Sequence, residues 1–163
     1  MNKNGLKNRV IVLLMGILMV CCTACGGETA SKGPEGSLQD IMTALYANAE
    51  LDADFREGLP YFDTLELTDD LENYILGTDE ITYTEGLVSM PKMSSVAYQC
   101  VLLRVDEADV ETAKEALKNN ADPDKWVCVS AETTLIESRG DVIFFIMCSK
   151  DVAYAMNSAF QNL

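Results

Sequence analysis

The most reactive side chains in this sequence are six cysteines, and three of them crowd together: residues 18–27 read LMVCCTACGG, with Cys21, Cys22 and Cys25. An ionised thiol is a nucleophile and a ligand for soft metals. Cys22 and Cys25 have the Cys-x-x-Cys spacing of a redox pair. That chemistry needs a folded scaffold to depress one thiol pKa, and here the pair borders an apolar run. Structural zinc asks for four ligands, often with histidine, and the chain has no histidine at all.

The same absence removes Ser/His/Asp and Cys/His nucleophile systems and the HExxH pattern together. No P-loop, GxGxxG or GxSxG occurs, so no cofactor and no metal is expected. Weaker matches have plainer explanations. Ser89-Met90-Pro91-Lys92 fits Ser-x-x-Lys, but that motif belongs at a helix start with partner elements that are missing here. Asn120, Asp122 and Asp124 alternate like calcium-loop ligands, yet Lys125 stands where glycine is needed and Ala131 where the bidentate acid belongs. A helix-ending turn accounts for them. Arg139-Gly140-Asp141 spells an adhesion tripeptide and equally suits a tight hairpin turn, which is preferred. Acid pairs such as Asp69/Asp70 and Glu137/Asp141 leave paired-carboxylate hydrolysis open, because its geometry is a distance in space; a solvated face is the default.

The start of the chain gives Cys25 a different role. Residues 1–9 carry Lys3, Lys7 and Arg9 without an acid, and residues 10–20, VIVLLMGILMV, carry no charge. This is the three-part pattern of a secretory signal peptide. Residues 10–25 as a helix reach only about 24 Å, against a hydrocarbon core of roughly 30 Å. Cys22-Thr23-Ala24-Cys25 then resembles a bacterial lipobox, with Thr23 and Ala24 as the small residues and Cys22 where leucine is usual. The expectation is a leader over 1–24 and a diacylglyceryl group on Cys25. A lipid-anchored flexible tether follows over 25–36, with a reach of roughly 17–20 Å, and then a single domain over 37–163.

Nine of the twelve basic residues and all twenty-six acidic ones lie from Cys25 onward, a net charge of −17. Such a surface repels nucleic acid and anionic headgroups, so no nucleic-acid partner is expected.

The fold expected is α+β: one largely antiparallel sheet of about four to five strands with helices packed on it, in the order α-α-β-β-α-β-β-β-α. Ser37 and Asp40 read as a capping box before Leu38, Ile41, Met42, Leu45 and Ala49. A short helix starts after Thr68, with Leu71, Tyr74 and Ile75 inward, and stops at Gly77. Strands are predicted over 81–90 and 95–105, a helix over 107–119 capped by Asp106, and strands over 126–132, 134–138 and 141–148. DVIFFIMC has no polar alternation, so it reads as central and buried on both faces. The last helix follows Ser149, with Val152, Ala155, Met156, Ala159, Phe160 and Leu163 on one side. Cys100, Cys128 and Cys148 all fall in predicted strands and are expected to be buried free thiols.

From residue 91 onward, PKMSSVAYQCVLLRVDEADVETAKEALKNN, then DPDKWVCV and SRGDVIFFIMC, resembles an uncharacterised family of Firmicute lipoproteins with a single small domain of unknown function. The resemblance implies a Gram-positive host and attachment to the outer face of the cytoplasmic membrane. It brings no catalytic or binding residues with it. The function expected is a membrane-tethered, extracytoplasmic and non-catalytic binding module. Its partner would be a surface protein, a wall component or a small solute; the alternative is a small cell-envelope hydrolase using paired carboxylates.

Overall fold

A computed structural model describes residues 33–163 other than Ser94. The fold is α+β, with one antiparallel sheet of five strands in the order β1-β2-β3-β5-β4. The strands are β1 (Phe62–Glu66), β2 (Glu85–Pro91), β3 (Gln99–Arg104), β4 (Thr133–Arg139) and β5 (Val142–Cys148). The helices are α1 (Leu38–Asn48), α2 (Ala53–Gly58), α3 (Asp69–Leu76), α4 (Val110–Asn120) and α5 (Lys150–Gln161), with 3-10 turns at Leu59–Tyr61 and Glu107–Asp109.

The unbroken apolar run of β5 has the consequence read from it. All seven residues are buried, and they alternate between two cores. Val142, Phe144, Ile146 and Cys148 face α1 and α5, and Phe144 stacks on Phe160 at 5.1 Å. Ile143, Phe145 and Met147 face α3 and α4, together with Ile75, Leu76, Val110 and Leu117. The sheet is therefore covered on both sides. β3 obeys the same constraint, with Cys100 and Leu102 in the first core and Val101 and Leu103 in the second.

Local signals hold where the chain meets its own neighbours. Ser37 Oγ accepts from the Asp40 N–H at 3.2 Å, and the Asp40 carboxylate accepts from the Ser37 N–H at 3.3 Å. The Ser37 hydroxyl also donates to the Asp40 carboxylate at 2.7 Å, and this bond, followed by that from the Ser37 N–H, lowers the Asp40 pKa. Gly77 closes α3 with φ +78°. Gly140 (φ +55°) opens a two-residue turn between Arg139 and Val142, so the tripeptide is a hairpin turn.

Some expectations need correction, among them the strand expected over 95–105, which starts at Gln99. The strand expected from Ile81 starts at Glu85. Residues 126–132 are not a strand. They belong to a loop closed by the Ala131 N–H on the Pro123 carbonyl at 2.9 Å, in which Trp126 is buried and Cys128 takes a left-handed φ of +66°. Anchoring Trp126 in the core while turning at Cys128 breaks the extended pleat that the alternation suggests. Tyr74, expected inward, is 50% exposed. The sheet instead gains an edge strand, β1, from FDTLE, where half-exposed residues give no clean alternation.

Gly77 also abuts the end of α4: a Cβ there would lie 2.1 Å from the Asn120 carbonyl oxygen. Gly77→Ala therefore combines left-handed strain with a backbone clash. It should lower stability by more than about 1 kcal/mol in urea unfolding; wild-type stability would contradict this packing.

Candidate functional site

The basic residues have an unusual assignment. Helices α1, α3 and α5 carry no basic residue in their last turns, yet each helix end receives a cation from elsewhere. Arg56 donates to the carbonyls of Ala49 at 2.7 Å, Leu51 at 3.3 Å and Tyr46 at 3.4 Å, closing α1. Arg139 donates to Leu163 at 2.9 Å and Phe160 at 3.1 Å, closing α5. Lys125 donates to the Tyr74 carbonyl at 2.7 Å, closing α3. Orphan carbonyls and the negative helix end favour such donors.

Lys125 is the most confined of these cations. Its ammonium also meets the Gln99 Oε1 and lies 4.4 Å from the Tyr74 ring centre and 5.3 Å from that of Trp126. Gln99 is 1% exposed and donates from Nε2 to the Ile75 carbonyl at 3.0 Å. Lys125 and Gln99 thus pin the end of α3 to the start of β3. Burial lowers the Lys125 pKa to about 8, and Asp122 opposes the shift.

A second cationic centre sits at the opposite end of the sheet. Arg104 pairs with Asp141 at 2.7 Å and Glu85 at 3.4 Å, and donates to the Gly36 carbonyl at 2.8 Å. The Asp141 hydrogen bond chiefly raises its pKa. This cluster joins β2, β3, the β4–β5 turn and the segment entering α1. Both charged members of the Arg139-Gly140-Asp141 tripeptide are consequently engaged within the fold.

The remaining sequence candidates do not converge. Ser89 is fully buried and accepts from Tyr46 Oη at 2.8 Å, while Tyr46 lies 2.8 Å from Tyr98 Oη. Lys92 points elsewhere, to Asp63 at 3.6 Å with both side chains about half exposed. Asp122 accepts the Asp124 N–H at 2.9 Å, and Asn120 donates to the Ala116 carbonyl at 2.9 Å, so these form a helix-ending turn. Among the described residues, Thr78, Ser89 and Gln99 are the buried polar or charged side chains, and no Asp or Glu is buried. Cys25 and its leader lie outside the described residues.

The three downstream cysteines are free, but they divide. Cys100 and Cys148 are buried in β3 and β5. Burial pushes the Cys100 thiol well up and that of Cys148 up to about 12. Cys128, expected to be buried, is exposed in the 123–131 loop.

Several shallow, open clefts of similar size lie on the described surface, one of about 540 Å³ lined by Glu111, Lys114, Glu115 and Lys118 among others and one of about 690 Å³ beside Tyr154. Another, of about 680 Å³, lies between the start of α1 and the β1–β2 strands, lined by Leu38, Thr64, Glu66, Tyr83, Glu85 and Leu87 among others. No lysine lines it, and Glu85 is held by Arg104. It offers an apolar floor and an acidic rim, suited to contact rather than to nucleophilic chemistry. Comparison of the chain with protein-family models, with curated proteins and with solved structures gives no match.

What sequence reasoning missed is the use of the cations. Lys125 stood out only as a misfit in a calcium loop, and the carbonyl it caps is 51 residues away.

Two measurements check this arrangement. Lys125 binds its proton less tightly in the folded chain (about 8) than at the unfolded value of 10.5. Between those values the unfolded chain holds more protons, so this lysine makes stability rise with pH. The stability difference between wild type and Lys125→Met should therefore move in favour of wild type from about pH 8 to pH 10.5. A flat difference would contradict the burial of the ammonium. Alkylation of the native protein, mapped by peptide mass, should modify Cys128 first and reach Cys100 and Cys148 only with denaturant. Equal rates would overturn the division.

Proposed function

We propose that this chain is an extracytoplasmic lipoprotein, held to the outer face of the cytoplasmic membrane by a diacylglyceryl group on Cys25. On this reading it serves there as a non-catalytic binding module. The observation that carries the reading is the sequence of basic start, eleven uncharged apolar residues and the Cys22-Thr23-Ala24-Cys25 box. Two acyl chains give stable attachment where one would be marginal. The fold is compatible with a short tether, since the chain is already bound to it at Gly36 through Arg104. No helix among the described residues is long and apolar enough to cross a membrane.

The binding role rests on the side chains available. No Asp or Glu among the described residues is buried, whereas general-acid catalysis by a carboxyl at neutral pH relies on burial to raise its pKa. The carboxylate-hydrolase alternative finds no such residue to support it. The likeness to Firmicute lipoproteins of unknown function agrees with the anchor and adds no ligand.

Labelling of the expressed full chain with a radioactive fatty acid tests the anchor. Wild type should incorporate label, lose its leader and sediment with membranes. Cys25→Ala should do none of these. A Cys25→Ala protein still labelled would sink the assignment.

A further inference from the structure

Among the described residues, β1 pairs with β2 alone and β4 with β5 alone, so each edge of the sheet leaves one side of a strand open. In β4 the two-residue turn at Gly140 makes Arg139 and Val142 a hydrogen-bonded pair. The Val105 N–H on the Asp141 carbonyl, at 2.9 Å, fixes the same alternation from the β3 side of β5. Thr133, Leu135, Glu137 and Arg139 therefore bond to β5, while Thr134, Ile136 and Ser138 turn their N–H and C=O groups outward. Those outward groups have no hydrogen-bond partner among the described residues. A strand of seven residues with no proline or glycine and an unbroken register is a template for another strand.

The two edges differ in charge. Residues 62–76, which hold β1 and α3, carry Asp63, Glu66, Asp69, Asp70 and Glu72 and no base. Lys92 offsets one of these, Asp63, at 3.6 Å. Acids along an edge repel a second copy of it. The β4 edge has no such excess. Helices α4 and α5 pack on its two faces. α4 carries Glu111, Lys114, Glu115 and Lys118, β4 carries Glu137 and Arg139, and α5 carries Lys150 and Asp151. Four bases match four acids, so the net charge of −17 from Cys25 onward lies wholly outside these three elements. Glu132 and Asp141, the acids that flank β4, are held by the Lys150 N–H at 3.1 Å and by Arg104 at 2.7 Å.

We propose that β4 is the interface of a symmetric dimer, in which two copies pair these edges antiparallel and join their sheets. A twofold axis at Ile136 sets that residue against its own copy and Thr134 against Ser138 of the partner subunit. All three outward residues then exchange both backbone bonds. The side chains agree with this register, since isoleucine meets isoleucine and threonine meets serine. The open cleft of about 540 Å³ between α4 and Ile136 leaves room at the edge for the partner's Ile136. The two Glu137 side chains fall on a diagonal, roughly 7–8 Å apart, a like-charge approach that salt screens. A strongly charged partner finds no opposite charge at a neutral edge, whereas a second copy, repelled elsewhere, meets no excess charge here. The contact closes on itself, and the acidic β1 edge does not extend it into a filament. The dimer does not depend on the lipid anchor at Cys25.

The full chain in non-ionic detergent is followed by sedimentation and by amide hydrogen exchange over a concentration series. A monomer–dimer equilibrium should appear and tighten several-fold in high salt. As dimer forms, the Thr134, Ile136 and Ser138 amides should slow several-fold, while those of Leu135 and Glu137, already bonded to β5, change less. Ile136→Lys and Ile136→Asp should each be monomeric, because like charges meet at about 5.5 Å between Cα atoms. Mixing the two should restore a dimer holding one of each. A chain monomeric at every concentration, a dimer loosened by salt, or a dimer in which the three amides stay fast would overturn the proposal. Protection of these amides in the monomer would do the same, because another segment or a bound peptide would then already cover the edge. Folded variants that fail to pair on mixing refute the twofold at Ile136. If either variant does not fold, the wild-type exchange pattern decides alone.

Discussion

The rest of the domain depends on the burial of β5 on both faces. A strand of seven apolar residues placed between β3 and β4 cannot be stable with either face in water. Each large side chain so buried is worth roughly 1.5–3 kcal/mol, and truncating a buried Phe to Ala costs about 3–5 kcal/mol. One helix layer would leave Ile143, Phe145 and Met147 exposed, and so α3 and α4 complement α1 and α5. The pairing of β3 and β5 on both sides satisfies their backbone groups in the same stroke.

Closing four helices over a sheet leaves helix ends that need donors, and this determines where the scarce cations go. Arg56, Lys125 and Arg139 each cap the end of a helix that has no basic residue of its own in its last turn.

How much of this was legible follows from the range of the interaction. The capping box at Ser37, the stop at Gly77, the turn at Gly140 and the doubly buried DVIFFIMC depend on neighbours in sequence or on an unbroken apolar run, and all could be read directly. The β1 edge strand could not, because its half-exposed FDTLE has no pattern of its own and forms by pairing with β2. The 126–132 segment misled because alternating β-branched residues describe a strand, whereas Trp126 anchors inward and Cys128 turns left-handed. The candidate site was least legible. Lys125 meets Tyr74 and Gln99 across 51 and 26 residues, and Arg104 meets Gly36 across 68.

The central claim is that β5 is buried on both faces and so supports two helix layers at once. The most direct measurement is urea unfolding of Phe144→Ala and Phe145→Ala, one side chain from each core. Each should lose about 3–5 kcal/mol. Near wild-type stability for either variant would contradict the account.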